Sequence, residues 1–167
     1  MTEAALPRET QPWNSNDRSG FAWSTLGPAA AVLLCNALYY ATGLVESDPA
    51  YDAVPFAPPG WLVGAIWLAI YPMWGAARWY ARQTGLAGRR NSRWIVALMA
   101  YGLLYPLIAA AAGTLGSVVA TFIALTLALV AAYFARQISK RAFWLIAPSL
   151  VWLAFAAYFG LTALQYA

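Results

Sequence analysis

The chain has 167 residues, of which 62% are hydrophobic and only 10% charged, with a mean hydropathy of +0.58 and a formal net charge of +4. A soluble domain carries about 25% charged residues, so this is the composition of an integral membrane protein, and the length allows one compact domain. Histidine is absent and Cys35 is the only cysteine, which excludes histidine-ligated haem, histidine general bases, thiolate zinc clusters and an internal disulfide.

Residues 1–21 are polar, mixed in charge and broken by Pro7 and Pro12, and read as a mobile N-terminal arm ahead of a membrane domain over 22–167. Glu3 and Glu9 with no apolar core between them argue against a cleaved signal or transit peptide. Apolar segments follow at about 23–45, 60–80, 94–112, 115–135 and 143–166, each of a length that spans a ~30 Å hydrocarbon core. Helix is expected for all of them, because a helix satisfies its own backbone in lipid. The expected fold is an all-α bundle of five transmembrane helices, with a turn at 113–117 making the third and fourth an antiparallel hairpin.

Asn36 lies near the middle of the first span beside Cys35. An asparagine there either hydrogen-bonds a neighbouring helix, worth roughly 1 kcal/mol, or faces a ligand. The second span begins at Pro58-Pro59, a pair that blocks helix upstream and presets φ for a helix just after it. Trp61 and Trp79 fall at its two ends, where indoles favour the membrane–water boundary. Trp67, Tyr71 and Trp74 recur at i, i+4 and i+7 on one face, and Trp152, Phe155 and Phe159 recur at i, i+3 and i+7 on the fifth span. Lipid-facing aromatics prefer the boundaries, so both faces are expected to point into the bundle. There they either wall a cavity for a flat apolar ligand or fill an aromatic core. Leu129 to Arg136 fits the loose cholesterol-recognition pattern, which also arises wherever a span ends in Tyr and Arg and anchors at the interface.

With five spans, all ten Lys and Arg fall on the side of the N-terminus or at its boundary, and the other side carries Glu46, Asp48 and Asp52. The positive-inside rule then places the N-terminus in the cytoplasm and the C-terminus outside, in an inner membrane of bacterial type. The same distribution assigns the basic residues to topology rather than to nucleic acid. The spans contain no acidic residue, so paired-carboxylate catalysis and a proton-coupled pump are disfavoured.

These motifs resemble the TspO/MBR family, the tryptophan-rich sensory proteins and the mitochondrial translocator protein. The resemblance rests on Phe56-Ala57-Pro58-Pro59-Gly60-Trp61 followed by Gly64, Trp67, Tyr71 and Gly75, and on Pro148, Leu150, Trp152, Phe155 and Ala156 in the last span. The third span keeps only Pro106 of the family's LNxxWxPxFF pattern; Ser149 stands where the family has tyrosine and Gly160 where it has asparagine. The resemblance implies a five-helix bundle, often dimeric, that binds porphyrins such as protoporphyrin IX or haem, or sterol-like molecules, with no cofactor required. It implies a cavity lined by Trp67, Tyr71, Trp152, Phe155, Ala156 and Phe159, with Tyr51, Phe56 and Pro58 in its lid and Asn36, Tyr101 or Tyr105 as polar contacts. The expected role is a membrane receptor or carrier in sensing, with lipid, the hydrophobic ligand and a second copy as partners. Two alternatives stand beside it. One is a divergent structural subunit of a larger membrane complex. The other is a light-dependent porphyrin-degrading enzyme in which Trp67 and Trp152 act as electron donors.

Overall fold

The computed structural model describes residues 18–44 and 49–167. Most of the expected arm, together with Glu46 and Asp48, lies outside the described residues. Every element among the described residues is helical: α1 Arg18–Thr42, α2 Pro49–Asp52, α3 Gly60–Arg82, α4 Gly85–Ile138 and α5 Lys140–Ala163. α1, α3, α4 and α5 are each long and apolar enough to cross a membrane.

α1 begins at Arg18, ahead of the expected residue 23, so residues 18–21 are helix rather than arm. The reason is packing: the Phe21 ring meets the edge of Trp79 at 6.1 Å and lies 6.2 Å from Tyr80, which seats the first turn of α1 on the end of α3. The same contact corrects the reading of Trp79, which is buried in the protein rather than displayed in an interfacial belt, whereas Trp61 is exposed as expected. α1 and α3 cross closely where Ser24 Oγ donates to the Gly75 carbonyl at 2.8 Å. A Cβ at Gly75 would collide with the Ser24 carbonyl, so glycine sets how near the two backbones come.

The 54 residues of α4 would extend about 80 Å as a straight helix, far more than a bilayer. The chain leaves helical geometry at Gly113 (φ 64°, ψ −172°), a backbone region open in practice only to glycine. The two halves then run side by side. Tyr101 Oη donates to the Ala120 carbonyl at 2.8 Å and Tyr105 Oη lies 2.8 Å from Thr121 Oγ1, pairs that a straight helix would hold more than ~20 Å apart. The expected hairpin is present, and its reversal is at Gly113. Ser139 separates α4 from α5 and caps the latter, its hydroxyl accepting from the Ala142 N–H at 3.3 Å.

α3 is the central element, packing on α1, α4 and α5. Its fully buried Trp74 donates Nε1 to Ser149 Oγ at 3.0 Å, and Ser149 Oγ in turn donates to the Ile146 carbonyl at 2.7 Å. A buried indole N–H is costly without a partner, and Ser149, which departs from the family motif, supplies one.

Candidate functional site: two chambers on a shared aromatic wall

Pro58 and Pro59 enter α3 with Pro59 extended (φ −62°, ψ 145°), so the 53–59 segment runs over the end of the bundle before the helix descends. α2 is held there by its own apolar contacts. Val54 buries with Phe159 and Ala163 of α5, and the Tyr51 ring lies 5.7 Å from Phe159. Tyr51 Oη also makes a 2.8 Å hydrogen bond with Ser117 Oγ. These contacts make a lid.

Beneath the lid, α3, α4 and α5 enclose a chamber of about 260 Å³. Trp67, Trp152, Phe155, Ala156 and Phe159 line it, with Tyr51, Asp52, Ala57 and Pro58 at its mouth and Tyr105, Thr121, Val63 and Leu153 completing the wall. Trp152, Phe155 and Phe159 follow one another at centroid separations of 5.6 and 6.0 Å, and Tyr51 continues the series into the lid. A second chamber, of about 250 Å³, lies between α1, α3 and the first half of α4, lined by Asn36, Tyr39, Tyr40, Pro106 and Ala109 among others. Tyr51, Val63, Trp67 and Tyr105 border both chambers and so form the partition between them. Each chamber alone falls just below the usual ligand-pocket range of about 300–1,000 Å³, and the pair reaches it.

Trp67 and Trp152, read from different spans, are brought into one chamber, as are Phe155, Ala156, Phe159, Tyr51 and Pro58. Asn36 lies in the second chamber, and its carboxamide makes no hydrogen bond among the described residues, so it does not tie α1 to a neighbour. Tyr71, expected in the cavity, lies elsewhere. Tyr71 is packed in the core at 1% exposure, its hydroxyl donating to the Met99 carbonyl at 3.0 Å and abutting Gly102; the i+4 step from Trp67 turns it behind the wall. Phe56 sits in the lid segment with a positive φ of 63°, and its side chain is fully exposed rather than turned into the chamber. Tyr101 lines neither chamber, because its hydroxyl is committed to the hairpin.

Sequence reasoning assigns no site role to Asp52, Val63, Thr121 and Leu153. Asp52 follows Tyr51 directly, and Thr121 is one helical turn from Ser117, but both signals need the hairpin folded before they mean anything. The indoles also sort by their hydrogen bonds. Trp74 Nε1 has a partner, whereas Trp67 and Trp152, which line the chamber, make no indole hydrogen bond among the described residues. No group of three or more His, Cys, Asp or Glu side chains that could hold a metal occurs among the described residues.

The fold and site define a multi-pass integral membrane protein whose helices enclose paired apolar chambers under a short loop. The TspO/MBR family model matches residues 31–165, nearly the whole chain. The chain belongs to the TspO/MBR family. No curated protein and no solved structure matches it.

Proposed function

We propose that this protein is a membrane receptor or carrier for a flat hydrophobic ligand, of porphyrin or sterol-like shape, with a sensing or regulatory role. The observation that carries this reading is the chamber itself. It is lined by Trp67 and Trp152, whose indoles make no hydrogen bond among the described residues, while the fully buried indole of Trp74 makes one. Trp67, Trp152, Phe155, Ala156, Phe159, Tyr51 and Pro58 form the ligand surface in this reading, and Asn36 serves the second chamber.

The same reading has the 22–167 domain cross a bacterial inner membrane five times, with the N-terminus cytoplasmic. The reversal at Gly113 supports the count. The grouping of Arg78, Arg82, Arg89, Arg136 and Arg141 at one end, with Arg141 5.7 Å over Tyr80 and Arg136 5.5 Å over Phe143, supports the orientation. α1 packs chiefly on α3 and leaves Leu33, Leu34 and Leu38 exposed, a surface for lipid, a second copy or a larger complex.

The test is a titration followed by tryptophan quenching, using protoporphyrin IX and its uncharged dimethyl ester, with Trp67→Ala alongside. Saturable micromolar quenching by either tetrapyrrole, weakened about tenfold in the variant, is the expected result. Unsaturable quenching by both, equal in the two proteins, would refute it. A second reading, light-dependent porphyrin breakdown, is favoured by one observation: Trp67 and Trp152 face the same chamber. It requires that Trp67→Phe with Trp152→Phe abolish the light-driven loss of porphyrin absorbance.

A further inference from the structure

The chamber has a charge character as well as a shape. Among the described residues its mouth carries one carboxylate, Asp52, exposed to solvent beside Tyr51, Ala57 and Pro58. No lysine or arginine occurs anywhere between Arg18 and Arg78. The bases beyond that interval sit at the far ends of the helices that build the chamber. From Gly60 at the mouth to Arg78 along α3, and from Phe159 back to Arg141 along α5, the rise is about 27 Å in each case. That exceeds the ~8–10 Å Debye length at physiological salt several times over. A carboxylate placed at this mouth would meet a like charge and no counter-charge. Drawn further in, it would face desolvation with no cation to offset it.

The walls favour the opposite sign. Trp67, Trp152, Phe155, Phe159 and Tyr51 line the same space, the last four as a continuous series of rings. Aromatic faces attract cations, the more strongly where water is excluded. A carboxylate at the rim of an aromatic enclosure adds a charge partner where the cation enters.

We propose that the chamber selects a flat lipophilic cation, held by the aromatic wall with its positive edge at Asp52, over an uncharged analogue and strongly over a carboxylate-bearing one. This rests on the ligand-receptor reading of the chamber and specifies the charge of what it takes.

The experiment compares three probes of one shape against the full chain in zwitterionic phosphatidylcholine nanodiscs. They are protoporphyrin IX, its dimethyl ester, and its bis-amide bearing trimethylammonium arms. Tryptophan quenching is read with the native chain and with Asp52→Asn, at low salt and at high salt. The cation is expected to bind about tenfold more tightly than the ester, and the free acid more weakly than either. Asp52→Asn is expected to cut the cation's advantage over the ester to about threefold, and high salt to act in the same direction. Binding of the free acid as tight as that of the cation overturns the proposal. So does a cation-to-ester ratio that Asp52→Asn leaves intact. In both of those cases saturable ester binding leaves the receptor reading standing. Failure of all three probes to saturate overturns the receptor reading, and the charge selection with it.

Discussion

Trp67 and Trp74 are two turns apart on α3, and their rings lie 5.9 Å from each other. They nevertheless serve different ends, because the Trp74 indole N–H is consumed by Ser149 whereas Trp67 lines the chambers. Trp74→Phe removes that bond and leaves a gap at a fully buried position. It is expected to destabilise the protein by about 1–3 kcal/mol, read as a lowered thermal midpoint in detergent. Trp67→Phe, at a half-open position, is expected to leave the midpoint within about 0.5 kcal/mol. Equal losses in the two variants would contradict the division. The i, i+4, i+7 spacing makes the aromatic face legible from sequence, and with it Trp67. Spacing alone cannot divide a face into a portion that lines a void and a portion that meets Met99 and Gly102, which is why Tyr71 is expected in the cavity and found behind its wall. Phe56 lies in the lid segment, where it is expected, but its side chain is turned outward. Its outward turn depends on a left-handed backbone that a phenylalanine does not announce.

The glycines of the helical elements separate by what surrounds them. Gly75 abuts the Ser24 backbone, whereas a methyl group placed on Gly64, on the same helix, would meet no heavy atom within 4 Å. Gly75→Ala is therefore expected to loosen α1 from α3 and lower thermal stability, while Gly64→Ala is neutral or slightly stabilising through helix propensity. Gly113→Ala forces a side chain into the conformation at which α4 reverses, with an expected cost of about 1–3 kcal/mol. The loss should appear in thermal unfolding and in faster proteolysis near the turn. The reversal itself is readable in advance from Gly113 and Gly116 between two apolar runs. The start of α1 is not, because it depends on Phe21 finding Trp79 and Tyr80 across the bundle.

At the scale of the whole molecule, bases gather at one end and the chamber opens at the other. In a chain with Cys35→Ala, a membrane-impermeant maleimide added to intact cells is expected to label Gln165→Cys and to spare Gln83→Cys. The reverse pattern would invert the orientation. The partition between the chambers has its own anchorage. Tyr51 reaches it from the lid and Tyr105 from the first half of α4, and their hydroxyls meet Ser117 and Thr121, four residues apart on the second half of α4. Ser117 and Thr121 also hydrogen-bond carbonyls of their own helix, at 2.8 and 2.9 Å. A guest long enough to occupy both chambers has to pull both phenols away from one helical turn at the same moment, and on leaving it waits for the same coincidence. Entry and exit are slowed alike, so the bundle can hold such a guest for long residence times without binding it tightly at equilibrium.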